Sequence, residues 1–174
     1  MCTLKFCHFR YRHAGAGQPG HPYCLFFVAD PQQPHRASLQ FWEADMLGQD
    51  GCLDVYPDWT VAECSLPASR HTLVLCGVLH EAGGPDIRPG SVQAHTIRLQ
   101  MIGNLVLRSQ NGSRQLAECA LGLADDFLQL LYDVPQHDEV LGVRQLQLDQ
   151  PCRQPLDFSA ARQTRCTAWF ARQA

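Results

Sequence analysis

Lysine is almost missing from this chain: Lys5 is the only one in 174 residues, and charged side chains of all kinds make up just 18%. A generic nucleic-acid binder gains affinity from clustered Lys and Arg that neutralise phosphates. The formal net charge of −3 argues against that class, so no nucleic-acid partner is expected. No apolar run approaches the roughly 18 to 20 residues of a membrane-spanning helix, so no membrane partner is expected either. Phosphate cradles are missing too. Neither G-x-x-x-x-G-K-[ST] nor G-x-G-x-x-G occurs, and Gly15, Gly17 and Gly20 have the wrong spacing. No G-x-S-x-G elbow nominates a serine nucleophile.

The opening residues Met1 to His8 hold no apolar stretch leading to a small-residue cleavage site. Nine cysteines in such a chain are expected to be free thiols in a reducing cytoplasm. By the same reasoning, Asn111-Gly112-Ser113 reads as turn chemistry and a helix cap rather than a glycosylation site.

What the chain does have is glutamine, 17 residues of it, and an apolar fraction of 45%, enough for a sizeable core. Its length fits a single domain over 1–174. A Gln-rich, weakly charged surface repels copies of itself only weakly.

Runs rich in strand-forming residues predict strands over 3–12, 23–29, 37–44 and 59–66, the third with clear period-two alternation, and at most a short one at 52–56. The run 71–80 is apolar on both faces, Leu73, Leu75 and Leu79 opposing Val74, Cys76 and Val78, which predicts a central strand covered on both sides. A loop, 81–90, follows. Over 92–101 the residues Gln93, His95, Ile97, Leu99 and Met101 share one face of a predicted strand, which resumes over 104–110 after Gly103.

Leu116, Cys119, Ala120, Leu123, Phe127, Leu130 and Leu131 recur at helical spacing. They predict a helix over about 114–133, capped by Ser113 and stopped by Pro135. A strand over 139–149 changes apolar phase at Arg144-Gln145, as a β-bulge would make it do. The segment 158–172 reads as a helix begun by Asp157 or as a strand built on Arg165–Phe170, and the strand is preferred. The fold expected is α+β: a curved, mainly antiparallel sheet or partly open barrel with one long amphipathic helix packed on it.

Eight histidines and nine cysteines raise the question of metal. The densest cluster is Cys7, His8, His13, His21 and Cys24, but Cys7 and His8 are adjacent in a strand and point to opposite faces, so four ligands do not converge. His80-Glu81 lacks the second histidine of H-E-x-x-H, because Gly84 stands in its place. The acidic stretch from Asp45 to Asp54 fails as a calcium loop, with Met46 and Gly48 at ligand positions. Neither a metal nor any other cofactor is expected.

His95 stands out because its expected strand face is apolar. It is either a hydrogen-bonded core histidine or a general base beside the 81–90 loop. Two function classes follow. One is a non-catalytic binding or assembly module whose partner is another protein or itself, making a homo-oligomer, with Trp42 and Trp59 as interface anchors or as ordinary core. The other is a small hydrolase or lyase with His95, His80 and Glu81 or a cysteine in a pocket between sheet and helix. A carrier of lipids or small ligands would show such a pocket without converging polar groups.

Overall fold

The fold comes from a computed structural model that describes residues 2–13, 21–30, 33, 36–44, 51–64, 72–81, 86–108, 113–133, 137–146, 154–160 and 164–173. These hold nine strands and two helices: β1 (Cys2–His13), β2 (Pro22–Ala29), β3 (Ser38–Glu43), β4 (Cys52–Val55), β5 (Trp59–Cys64), β6 (Leu73–His80), α1 (Pro89–Arg108), α2 (Ser113–Asp133), β7 (Glu139–Leu146), β8 (Gln154–Ala160) and β9 (Thr164–Gln173).

All pairings are antiparallel and fall into two sheets. In sheet A, β4 and β5 pair with one side of β1, followed by β9 and β8; sheet B runs β3-β2-β6-β7.

Strand parity builds three layers. Even-numbered residues of β2 and β6, including Cys24, Phe26, Val74, Cys76 and Val78, meet Leu4, Phe6, Phe9, Cys166 and Phe170 of sheet A in one apolar layer. Odd-numbered residues, including Tyr23, Leu25, Phe27 and Leu79, meet Val92, Leu99, Phe127, Leu130 and Leu131 of the helices in a second. Sheet B is thus covered on both faces, as the two-faced apolar run of β6 predicts. Among the described residues, sheet A is covered on one.

The expected single sheet or partly open barrel is therefore two facing sheets, and the expected single helix is one of two. Residues 113–133 are helical as the spacing predicts, but 89–108, expected as the end of a loop and then strands over 92–101 and from 104, form a second helix. Pro89 at its first position fits the fixed φ of proline to a helix start and needs no intrahelical N–H. Its inward residues Val92, Thr96 and Leu99 have helical spacing, whereas Ile97 and Met101 are exposed, at 52% and 62%. Thr96 also explains why the helix lies where it does. Its Oγ1 accepts from Leu39 N–H at 3.2 Å and shares its own proton between the carbonyls of Leu39, at 3.1 Å, and Val92, at 3.0 Å. That hydroxyl occupies backbone groups on the open side of edge strand β3.

Three smaller differences have local causes. The β7 bulge falls at Leu141-Gly142, not Arg144-Gln145: Val78 faces Gly142 and Leu79 faces Val140, leaving Leu141 as the extra residue. Gly142 takes a φ of 145°, a conformation open to glycine. The preferred C-terminal strand is a hairpin, β8 with β9, and β9 lies beside β1 rather than at an edge. Three strands follow the helices, one more than the two expected.

Candidate functional site

Two polar assemblies stand out, one at the end of the sandwich and one on its bare face. At the end, His80 closes β6 and turns its side chain into the layer between the sheets, sharing the parity of Val78. Its Nδ1 is hydrogen-bonded to the Tyr11 hydroxyl, and its ring stacks on Tyr11, at 5.7 Å and 20°, and on His13, at 5.3 Å and 21°. Thr164 Oγ1 lies 3.0 Å from His13 Nδ1. His80 is only 9% exposed, and burial, followed by the charge of His13, holds its pKa below the ordinary 6.5. Burial pushes the Tyr11 phenol well above its usual range, so both partners stay neutral at neutral pH.

Glu81 is 6% exposed, and its Oε2 has no hydrogen-bond partner among the described residues. Burial, then the nearby Glu43 charge, raises its pKa, and protonation lowers the cost of burying it. Beside it, Asp86 and Asp138 clamp the entries to α1 and β7. Asp86 Oδ2 accepts from His137 N–H at 2.7 Å and Asp138 N–H at 3.1 Å; Asp138 Oδ2 accepts from Asp86 N–H at 2.7 Å and the Tyr23 hydroxyl at 2.6 Å. Amide donors hold the two carboxylates together, which is a structural task.

The sequence-predicted site residues do not form one site. His80 and Glu81 are neighbours, but His95 is half-buried on α1, which packs against the opposite face of sheet B from the one carrying His80. Trp42 belongs to the interior, packing edge-on to Phe6 at 5.0 Å and to Phe9 at 5.2 Å. Trp59 is 39% exposed and donates from Nε1 to Gln40 Oε1 at 2.8 Å, while Gln40 Nε2 donates to the Val61 carbonyl at 2.9 Å. Gln40 thereby ties the edge of sheet B to β5 of sheet A.

The cysteine-histidine cluster is dispersed. Cys24 is buried between the sheets, His8 points outward to Asp54, and no group of three or more metal-ligating side chains occurs among the described residues. Burial raises the thiol pKa values of Cys24 and Cys166 well above the usual range, as for small apolar residues.

The second assembly is the outer face of sheet A, where register aligns residues in rows across the strands. Arg12 pairs with Cys52 of β4 and Arg165 of β9, which pairs with Ser159 of β8. The next row is Asp54, Arg10, Thr167 and Asp157, and the next holds His8, Trp169 and Pro155. His8 stacks between Tyr56, at 4.5 Å and 7°, and Trp169, at 4.2 Å and 16°.

These separations are close to the strand spacing of about 4.8 Å, so the rings stand side by side across the sheet. Asp54 holds them in place, taking His8 Nε2 at 2.5 Å and Arg10 Nε at 3.1 Å, and His8 is the first cause of its lowered pKa. Arg10 lies 5.6 Å from the Trp169 ring centroid.

None of these residues is among the sequence-predicted site residues. The outward alternation His8, Arg10, Arg12 is visible in the sequence; its pairing with Arg165, Thr167 and Trp169 is not. The chain matches no family model and no curated protein sequence.

Proposed function

We propose that this domain is a non-catalytic binding module that engages another protein chain through the outer face of sheet A. The observation that carries this reading is the ring shelf of Tyr56, His8 and Trp169 on a sheet face that no element covers among the described residues. Tyr56 is 74% exposed, yet its ring is already ordered by stacking, so docking costs it little rotamer entropy. Aromatic and Arg side chains are the residues that most often anchor protein interfaces. The net charge of −3 supplies no excess of cations for a phosphate backbone, which favours protein over single-stranded nucleic acid.

The enzyme reading has less support. It calls for two of His95, His80 and Glu81 to meet in reach of solvent, whereas His80 and Glu81 are almost fully buried and His95 is elsewhere.

Selection of a random peptide library against the immobilised chain tests the proposal. Enriched peptides are expected to lose binding to a Tyr56→Ala/Trp169→Ala double variant and to keep it with Tyr132→Ala, which alters an exposed residue of α2. No enrichment, or binders indifferent to the shelf, refutes it. Self-association, which the weakly charged surface favours, is read by sedimentation velocity. A dimer broken by Trp169→Ala makes the partner a second copy, and a monomer at every concentration leaves a different protein.

A further inference from the structure

Arg12 and Arg165 face each other directly across β1 and β9, both exposed. Like charges directly opposite one another in a sheet are destabilising. Here neither guanidinium has a carboxylate within ion-pair distance among the described residues. The contrast with the next row is direct: there Arg10 is bonded to Asp54, and Asp157 Oδ1 accepts from Thr167 Oγ1 at 2.7 Å. Ser159 adds an exposed hydroxyl on the other side of Arg165. A cleft of about 400 Å³ adjoins Arg165 on its β8 side, lined by Asp157, Phe158, Ser159, Arg165, Cys166 and Thr167 and not by Arg12.

We infer that Arg12, Arg165 and Ser159 form the acid-recognising subsite of the binding face, taking an Asp or Glu side chain of an extended partner segment. This rests on the binding-module reading and adds the partner's chemistry to it. Two guanidinium groups and a hydroxyl supply more donors than one carboxylate can use, and an incoming carboxylate offsets the repulsion between the two arginines.

The rows also set a spacing. From His8 to Arg12 is four residues of β1, or roughly 13 Å, the distance between positions i and i+4 on one face of an extended peptide. An apolar side chain against the ring shelf therefore places an acid at i+4 over the arginines. In the middle row Arg10 is already bonded to Asp54 and Asp157 lies beside them, so an acid at i+2 finds that guanidinium taken and meets a row of net negative charge. The partner motif is apolar at i, uncharged at i+2 and acidic at i+4.

The probe is a fluorescein-labelled eleven-residue peptide with Leu, Thr and Glu at i, i+2 and i+4 in a Ser/Thr background, read by anisotropy with the whole chain. Replacing Glu by Gln at i+4, or Arg12 and Arg165 by Gln in the protein, is expected to weaken binding about tenfold, the scale of one charge-assisted contact. Moving Glu from i+4 to i+2 is expected to weaken it as much. Arg12→Gln and Arg165→Gln should melt at the same or a higher temperature than the parent, which separates lost recognition from lost folding.

Binding that survives both Arg→Gln changes but not Tyr56→Ala/Trp169→Ala overturns the acid subsite and leaves the binding face standing. Binding indifferent to all of them overturns both readings. A probe that does not bind at all overturns the motif, and the library selection then judges the face. Arginine variants that melt lower while binding is unchanged make the pair structural and overturn the inference.

Discussion

Gly77→Ala should loosen α2 from sheet B. Gly77 sits mid-β6 on the face that meets the helices, and a Cβ added there would stand 2.7 Å from Leu131 Cδ1, 3.0 Å from Cδ2 and 3.5 Å from Cγ. Leu131 is fully buried, so its end cannot swing into solvent. Overpacking of this kind costs typically about 1–3 kcal/mol. The loss of unfolded-state freedom on Gly→Ala returns about 0.4–1 kcal/mol. A net destabilisation of about 1–2 kcal/mol follows, or a fall in Tm of about 2–8 °C for a chain of this size.

Leu131→Ala alone is expected to cost about 2–5 kcal/mol through the cavity it leaves. In the double variant the new methyl enters that cavity, so the two costs should not add, with a coupling of about 0.5–3 kcal/mol in the favourable direction. Urea denaturation followed by circular dichroism, on parent, both single variants and the double, measures all four corners. A neutral or stabilising Gly77→Ala, or strict additivity, would refute the close approach of α2 to β6.

Other consequences of the packing can be measured on the same protein. Phe127→Ala removes a buried ring stacked on Phe27 at 5.3 Å and 18°, and should cost about 3–5 kcal/mol in the same denaturation assay. His80 titrates below 6.5 when folded, so the unfolded chain binds the extra proton first. Its contribution to stability is present above pH 6.5 and declines as pH falls through the folded pKa, and His80→Asn should flatten that slope in Tm against pH. Glu81 has the opposite sign: its raised pKa favours the fold below pH 4.5 and is lost as pH rises through the folded value, so Glu81→Gln should raise Tm at neutral pH. Cys24, Cys76 and Cys166 are buried, so iodoacetamide should label them only after denaturant is added, as read by peptide mass mapping.

How much of this was legible in the sequence varied with how local the signal was. The strands β1 to β6 announce themselves by alternation or by short apolar runs, and the two apolar faces of β6 predict its double cover because parity is a property of a few neighbouring residues. Helix α2 is equally local. Helix α1 was misread because Gln93, His95, Ile97, Leu99 and Met101 alternate by accident, while its true inward residues Val92, Thr96 and Leu99 include a polar threonine whose task is a bond to the edge of β3. Pro89 was the available clue, a residue that starts helices as readily as it breaks strands.

The site was less legible still. His80 and Glu81 are adjacent in the sequence, but whether they face solvent depends on Tyr11 and His13, which lie in β1. Trp42 and Trp59 look alike as candidates, yet Trp42 lies over Phe6 and Phe9 between the sheets. The ring shelf and the arginine pair both require β1 beside β9, a pairing across most of the chain that no local pattern encodes.

Hydrogen exchange measured by mass spectrometry on the chain, with and without a saturating library-selected peptide, addresses the central claim most directly. The account predicts protection concentrated in β1, β9 and the segment around Tyr56, with α1 and α2 unchanged. Protection confined to the helices, or around His80 and Glu81 with none on sheet A, would contradict it.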